Sequence, residues 1–281
     1  MEQSTSLPSR RRTALTLGRF DRGSLLLPIS AIALLALWQA YVVVARPASY
    51  ILPAPVVIAN ALWHGLTRSP GDASGYWFHL ASTLHGSVFG FILGAFTGIV
   101  LGILVAEFKP LERTLLPYAV ALQSLPKVAI APLILIWFGF GPTSKIILAS
   151  LLVFFPLLIN TFVGLTLVDR DSLMLMRSLR SNRWVTLWKV KLPAALPMIF
   201  AGLDIGTVFA ILGAVVAEFI GSDAGIGVMI LQAQTKNDTA SVFAELVVLG
   251  VVGLVFHGIV DQAGKRIVFW ARTDDIPQVT S

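Results

Sequence analysis

Long apolar runs separated by short polar segments make up most of the chain. A helix needs roughly 20 mostly apolar residues to cross the hydrocarbon core of a bilayer. The runs of about this length are 24–45, 79–106, 115–140, 146–168, 197–220 and 242–260. None of them alternates apolar and polar residues as a lipid-facing strand does. The pattern therefore predicts an all-α polytopic membrane protein with six transmembrane helices.

The third run is interrupted near its middle by Gln123-Ser124-Leu125-Pro126-Lys127. Pro126 removes a backbone donor, and unpaired backbone at that depth is tolerated only inside protein or beside water. An ionisable residue inside the membrane is a functional hypothesis by default. Ser124, Pro126 and Lys127 are therefore candidates for the lining of a translocation path. The alternative is that Lys127 extends to the interface or pairs with a carboxylate of a neighbouring helix.

Polar residues in the last two helices raise the same question. Asp204 and Glu218 belong to the fifth predicted helix, and His257 and Asp261 to the sixth. We include Asp204 and Glu218 among the candidates for the path. Glu218 and Asp261 lie near helix ends, where a position at the membrane interface is the alternative.

Glycine recurs every four residues along the second predicted helix. The positions are Gly86, Gly90, Gly94, Gly98 and Gly102. This spacing places the glycines along one helix face, where they let a neighbouring backbone approach closely. The face either lines a moving or translocating surface or serves as a static packing surface, and small residues at this spacing are common in packed membrane helices.

The amino-acid composition supports the membrane assignment. Of 281 residues, 56% are hydrophobic and only 13% are charged, with a mean hydropathy of +0.81. A soluble domain carries about 25% charged residues, so a soluble enzyme domain is excluded, as is a disordered chain. The absence of cysteine excludes a disulfide scaffold.

The basic residues predict the orientation. Lysine and arginine total 21. If the N-terminus is cytoplasmic, 16 of them fall in cytoplasmic segments, only four in external ones and one, Lys127, within a span, which is the positive-inside bias. We therefore expect both termini inside, with a basic tail at 1–23, a transmembrane domain at 24–264 and a second cytoplasmic tail at 265–281. The N-terminal arginines suit contact with anionic lipid, and the net charge of +6 does not point to nucleic acid.

The predicted cytoplasmic loop at about 169–195 holds a short amphipathic segment. Leu173, Leu175, Met176 and Leu179 recur at helical spacing. A helix of this type can lie on the membrane surface or dock its apolar side into a groove of a soluble partner, and the composition does not separate these alternatives.

Several chemistries have no signature in the chain. There is no phosphate-binding loop, no zinc-protease motif and no nucleophile elbow. Four scattered histidines without cysteine predict no metal site, and no bound cofactor is indicated. If ATP drives transport, another subunit must hydrolyse it. A secondary transporter, or an intramembrane enzyme, is the alternative from another class.

Three stretches resemble the permease subunits of ATP-binding-cassette importers, in the nitrate, sulfonate and taurine branch. The loop through Arg183-Trp184 and Lys191-Leu192-Pro193 resembles the cytoplasmic signature of these permeases. Gln123-Ser124-Leu125-Pro126-Lys127 is similar to this branch, and so is Ala217-Glu218-Phe219-Ile220-Gly221 with the following Gly225-Ile226-Gly227. Importers of riboflavin and of pyrimidine vitamin precursors belong to the same branch.

The resemblance implies a fold, a location and partners. The fold is that of a type I importer permease in the bacterial inner membrane, with two permease copies lining the path. Separate ATPase subunits bind ATP, and an external binding protein delivers a small solute. The positions that the resemblance assigns to ATPase coupling are Met174, Leu175, Met176, Arg177, Ser178, Leu179, Arg180, Arg183 and Trp184.

The loop departs from the family signature at four positions. The signature has Glu-Ala-Ala where this chain has Met174, Leu175 and Met176, and it has glycine where this chain has Arg180. Glycine permits a left-handed turn at the end of a helix, and arginine does so poorly. Loss of the glutamate removes a negative charge from the start of the helix, where it is favourable. We expect either a different turn or a different partner groove.

Overall fold

The computed structural model describes residues 22–270, with side chains from residue 28 onward, and every regular element in this part of the chain is helical. The helices are α1 (Arg22–Ala45), α2 (Pro55–Thr67), α3 (Tyr76–Glu107), α4 (Lys109–Gln123), α5 (Ala131–Phe138), α6 (Pro142–Thr166), α7 (Arg170–Ser178), α8 (Arg183–Thr186), α9 (Leu192–Ile220), α10 (Ile226–Thr235) and α11 (Thr239–Ile267). A 3₁₀ turn (Lys127–Ile130) precedes α5, and a π turn (Leu187–Lys191) joins α8 to α9.

The long helices account for the predicted spans. Five helical stretches between residues 22 and 270 are long and apolar enough to cross a membrane. The sixth span is the broken one: α4 and the helical stretch Lys127–Phe138 meet at an angle of 88° and count as one span when taken together. The break falls at Ser124-Leu125-Pro126, where the sequence predicted it, because Pro126 cannot continue the helical hydrogen bonding.

The described chain divides into two units, the first ending at Pro47 and the second beginning at Ala48. The first unit is the single helix α1, whose apolar side chains from residue 28 are largely exposed. The second unit contains α2 to α11. The predicted tails lie largely outside the described residues, and so do four of the five N-terminal arginines, Arg10, Arg11, Arg12 and Arg19.

The centre of the second unit is a three-helix contact of α3, α6 and α9. All five glycines of the α3 stripe lie against α6: a Cβ at Gly94 would stand 2.5 Å from the carbonyl oxygen of Ser150, and one at Gly98 would stand 2.7 Å from that of Phe154. Leu157, which is fully buried, packs between these helices with Val153 and Ala210. Small residues thus allow the backbones of α3 and α6 to approach closely.

The fifth span begins earlier than the sequence predicted. We expected the cytoplasmic loop to run to about residue 195 and the fifth span to begin at about residue 197. Instead, helical structure continues from Arg183 to Ile220. The π turn makes this continuity possible, since it widens the helix next to Pro193, which lacks an N–H group and would otherwise crowd the preceding turn.

Candidate functional site

α7 is the amphipathic helix that the cytoplasmic loop predicted. It begins with Asp169, whose carboxylate accepts a hydrogen bond from the backbone N–H of Ser172 at 3.2 Å. This hydrogen bond lowers the pKa of the Asp169 carboxyl. Asp171 lies in the first turn. The start of α7 therefore carries the negative charge of two aspartates, whereas Met174, at the position of the signature glutamate, lies in the middle of the helix rather than at its start.

α7 ends in a left-handed turn at Arg180. The φ angle of this residue is +50°. The N–H of Ser181 bonds to the carbonyl of Met176 at 3.0 Å, and the N–H of Arg180 bonds to that of Arg177 at 2.9 Å. These two bonds form a Schellman motif, in which glycine is the usual residue at the left-handed position. The turn is therefore of the type that the signature glycine serves, although an arginine occupies it.

The surface of α7 combines exposed apolar side chains with cations. Met174, Leu175 and Leu179 are exposed, Leu175 to 60%. Arg177, Arg180 and Arg183 are exposed around them, and Met176 is partly buried. No hydrogen bond or ion pair between residues 22 and 270 joins a side chain of α7 to a membrane-spanning helix. The helix thus presents a basic-rimmed apolar face that the described part of its own chain leaves exposed.

The helix after α7 is tied to the end of α3 by one carboxylate. Lys191 Nζ lies 2.6 Å from Glu107 Oε1, and Arg183 Nη2 lies 3.7 Å from Glu107 Oε2. Arg183 also donates a hydrogen bond of 2.8 Å to the carbonyl oxygen of Glu107 and stacks 4.7 Å from the centre of the Phe108 ring. The side chain of Glu107 is only 7% exposed.

At the break in the third span, Lys127 forms no ion pair with a carboxylate between residues 22 and 270. Its Nζ donates to the carbonyl oxygen of Gln123, the last residue of α4, at 3.0 Å and lies 4.9 Å from the centre of the Phe155 ring. A cation at this end of a helix is favourable. Ser124 bonds to the carbonyl of Val120 at 3.3 Å. These contacts explain how the broken backbone is satisfied.

Glu218 lies in a buried polar cluster at the external end of the predicted bundle. Lys145 Nζ is 3.0 Å from Glu218 Oε1, and their side chains are 3% and 0% exposed. Thr83 donates to Glu218 Oε1 at 2.8 Å and accepts from the N–H of Ile226 at 2.9 Å. Lys145 also donates to the carbonyl of Ala224. Three helices thus converge on the segment that leads into α10.

The start of α10 is held by the same cluster. The N–H of Gly227 bonds to Glu218 Oε2 at 2.9 Å, and the N–H of Gly225 bonds to His79 Nδ1 at 2.9 Å. His79 Nε2 therefore carries the proton and donates to the carbonyl of Ala73 at 2.8 Å. Gly225 has a φ of +137°, and a Cβ there would overlap the Glu218 carboxylate. The absence of a side chain at Gly225 and Gly227 thus leaves the space that the Glu218 carboxylate occupies.

Asp204 pairs with a histidine of another helix. His257 Nδ1 on α11 lies 2.6 Å from Asp204 Oδ1 on α9, and the two side chains are 46% and 40% exposed. Asp261, one turn further along α11, pairs with Lys265 at 2.6 Å. The acid partner of His257 comes from a different span, so the spacing of residues within α11 does not indicate it.

Comparison with known proteins decides the family. Residues 98–269 match the family described as "Binding-protein-dependent transport system inner membrane component". The chain belongs to this family. It is a multi-pass inner-membrane permease subunit of an ATP-binding-cassette importer, and membership implies an ATPase and a solute-binding protein as partners.

Two curated permeases are similar over most of their length. The riboflavin transport system permease RibX of Chloroflexus aurantiacus is 35% identical over 91% of this permease and 93% of its own chain. The putative aliphatic sulfonates transport permease SsuC of Bacillus subtilis is 37% identical over 88% of this permease and 86% of its own chain. These similarities confirm the importer branch that the sequence resembled and decide against a secondary transporter.

A solved structure shares the fold. The structure of the MetNI methionine ABC transporter in inward-facing conformations has a chain that matches with a TM-score of 0.55 and 17% identity, over 76% of this permease and 98% of that chain. The likeness confirms the type I importer permease fold.

Sequence reasoning missed the permease residues whose partners are distant in the chain. Glu107 meets Lys191 across 84 positions, and His79 meets Gly225 across 146. Lys145, one of the four basic residues in the predicted external segments, is buried. The sequence marks each of these residues only as an isolated polar position near the end of an apolar run. That signal does not identify the distant residue with which it pairs.

Proposed function

We propose that α7 is the coupling helix through which a separate ATPase subunit drives this permease. The observation that carries the proposal is the uncovered face of α7, on which Met174, Leu175 and Leu179 are exposed. An amphipathic helix of this kind fits an apolar groove, where its apolar residues act as anchors. Methionine adapts well to such a groove, and the surrounding arginines favour a groove with an acidic rim.

Nucleotide chemistry is assigned to the partner in this proposal. The permease chain carries no phosphate-binding loop, so ATP would bind and react on the ATPase alone. The permease would bind no cofactor. Its contribution is a helical bundle with two arrangements, which the ATPase biases by binding them unequally.

The coupling role is tested by removing the apolar anchors. Leu175→Ala and Leu179→Ala in the permease, co-expressed with its ATPase subunit, should each weaken copurification of the ATPase about tenfold. Phe269→Ala is the matched control, because Phe269 is also an exposed apolar residue on the predicted cytoplasmic side but lies outside α7. Equal ATPase recovery with all three variants would exclude α7 as the coupling helix.

We also propose that two copies of the permease form the path. One chain supplies six spans, and the Asp204–His257 pair is partly exposed on the second unit. Charged groups inside a membrane face a protein interior or a water-filled cavity rather than lipid. A second copy that encloses a path beside α9 and α11 would provide that environment.

For the cargo we propose a small solute of one of two classes, a sulfonate-like anion or a heterocycle such as riboflavin or a pyrimidine. The similarity to the sulfonate and riboflavin permeases supports both classes about equally. The test is ATP hydrolysis by the complex in proteoliposomes with its binding protein, in the presence of taurine, methanesulfonate, nitrate or riboflavin. Stimulation by one class alone would assign it.

A further inference from the structure

The carboxylate of Glu107, which pairs with two cations of the helical stretch after α7, lies in a position that is unfavourable for a negative charge in α3 itself. Glu107 is the last residue of α3, and a negative charge is unfavourable at the C-terminal end of a helix. Its side chain is also nearly buried, which is costly for a carboxylate unless cations compensate it. Both compensating cations, Arg183 and Lys191, come from the same helical stretch.

The π turn brings these two cations to one side of that stretch. In a regular α-helix of 3.6 residues per turn, residues eight apart are rotated by about 80° from each other. A π turn takes up about one residue more than an α turn, so one α turn and one π turn together span about eight residues. The π turn occupies Leu187–Lys191, and the N–H of Leu192 bonds back to the carbonyl of Leu187. Arg183 and Lys191 therefore both reach Glu107.

Within residues 22–270, Glu107 provides the ion pairs between α3 and the segment that follows α7, with Arg183 and Lys191 as its partners. α9 continues directly from this stretch, so movement of the stretch moves α9 through the helix itself. α3 packs on this stretch from the side, since Ile103 and Ala106 contact the apolar cluster that contains Leu187 and Ala195. Glu107 adds a polar attachment at the end of α3, where this apolar packing stops.

We propose that Glu107 is a positioning residue that holds the end of α3 against α8 and the start of α9, in addition to their apolar packing, when the ATPase displaces α7. The proposal rests on the coupling role of α7. The Glu107 carboxylate acts through its ion pairs with Arg183 and Lys191. The hydrogen bond from Arg183 to the backbone carbonyl oxygen of Glu107 is the second point of attachment. α3 in turn carries α6 along through the close glycine contact.

The absence of cysteine makes a distance measurement possible on the whole transporter. Spin labels on cysteines at Leu104 of α3 and Val185 of α8, both exposed, report the spacing of the two helices. Distances are recorded in the complex with its ATPase in proteoliposomes, first without nucleotide and then after trapping with ATP and vanadate. In the otherwise unchanged transporter we expect one narrow distance that is the same in both states.

The variants separate attachment from folding. Glu107→Gln should shift or broaden the distance distribution after trapping, and Glu107→Asp should restore the narrow distribution because it restores the charge. Lys191→Met leaves Glu107 and Arg183 in place and should broaden the distance distribution to an intermediate extent. It serves as the second variant if Glu107→Gln does not fold. Glu112→Gln is the matched control, since Glu112 lies nearby on α4 and makes no ion pair between residues 22 and 270.

Copurification of the ATPase distinguishes the two proposals. If the α7 variants lose the ATPase while Glu107→Gln retains both the ATPase and the narrow distance in both states, the attachment by Glu107 is wrong and the coupling helix stands. If the α7 variants retain the ATPase, the coupling proposal itself fails. Broadening in Glu107→Gln but not in Glu112→Gln, with the ATPase bound, supports the attachment.

Discussion

Lys145 and Glu218 form a buried ion pair of 3.0 Å that joins the external ends of α6 and α9. Thr83 adds α3 to the same cluster, and the backbone N–H of Gly227 completes the partners of the carboxylate. The three central helices and the start of α10 are thus fixed to each other by one carboxylate, at the opposite end of the bundle from Glu107.

Removing one member of this pair should be strongly destabilising. Glu218→Gln or Lys145→Met leaves the other charge buried without its counter-charge, which costs about 3–5 kcal/mol. The measurement is the free energy of unfolding of the permease in detergent. Lys265→Met serves as the control, because the Lys265–Asp261 pair is exposed and such pairs contribute about 0–1 kcal/mol. Equal losses in the two cases would contradict a structural role of the buried cluster.

Replacing Arg180 by glycine should stabilise α7. A left-handed conformation costs a residue with a Cβ about 1–2 kcal/mol, and Arg180 adopts it at the end of the helix. Amide exchange of residues 170–178 should therefore slow in Arg180→Gly. Arg177→Gly, inside the helix, should accelerate exchange instead, since glycine there costs about 1 kcal/mol. Faster exchange in Arg180→Gly would show that the side chain of Arg180 contributes more than the strain.

Removing the aspartate at the start of α7 should loosen the helix. Asp169→Ala loses the hydrogen bond to the N–H of Ser172, so exchange of the first-turn amides should become several-fold faster, whereas Asp169→Ser keeps a capping oxygen and should change little. The pKa of Asp169 is lowered in the folded chain. Its contribution is therefore fully present above the ordinary carboxyl pKa of about 3.9 and disappears as the pH falls through the lower folded value. Equal exchange in the two variants would rule out the cap.

An added methyl group should distinguish packed glycines from free ones. Gly94→Ala forces α3 and α6 apart, because the new Cβ would stand 2.5 Å from the carbonyl oxygen of Ser150, and overpacking of this kind costs about 1–3 kcal/mol. Gly258→Ala in α11 meets nothing within 4 Å and should be neutral or stabilising. Thermal unfolding of the two variants in detergent gives the comparison. A drop in Tm for both would indicate a general cost of helix glycine replacement.

The face of α9 next to Asp204 should be in contact with water or with a second copy. Val208 lies one turn after Asp204 and is exposed, whereas Ala210 is buried. Val208→Cys should react with a water-soluble thiol reagent or form a disulfide between two copies, and Ala210→Cys should do neither. Inertness of Val208→Cys both without nucleotide and after ATP trapping would place this face against lipid.

The sequence alone determined the features that depend on neighbouring residues. The length of each apolar run predicted the spans, Pro126 marked the broken one, and the spacing of Leu175 and Leu179 predicted α7. These signals are local, because helix formation and membrane insertion respond to consecutive residues. The family signature around Leu192-Pro193 was visible for the same reason.

The tertiary structure alone decided which polar residues meet. Glu107 with Lys191, Lys145 with Glu218 and Asp204 with His257 are pairs from different helices, and the spacing of residues in one helix carries no information about the neighbour that packs against it. The π turn before Pro193 and the left-handed turn at Arg180 were also decided at this level, because packing and hydrogen bonding overrode the local preference of those residues. The chain therefore specified its spans locally, whereas the pairs that tie those spans together were settled by the packing of distant segments.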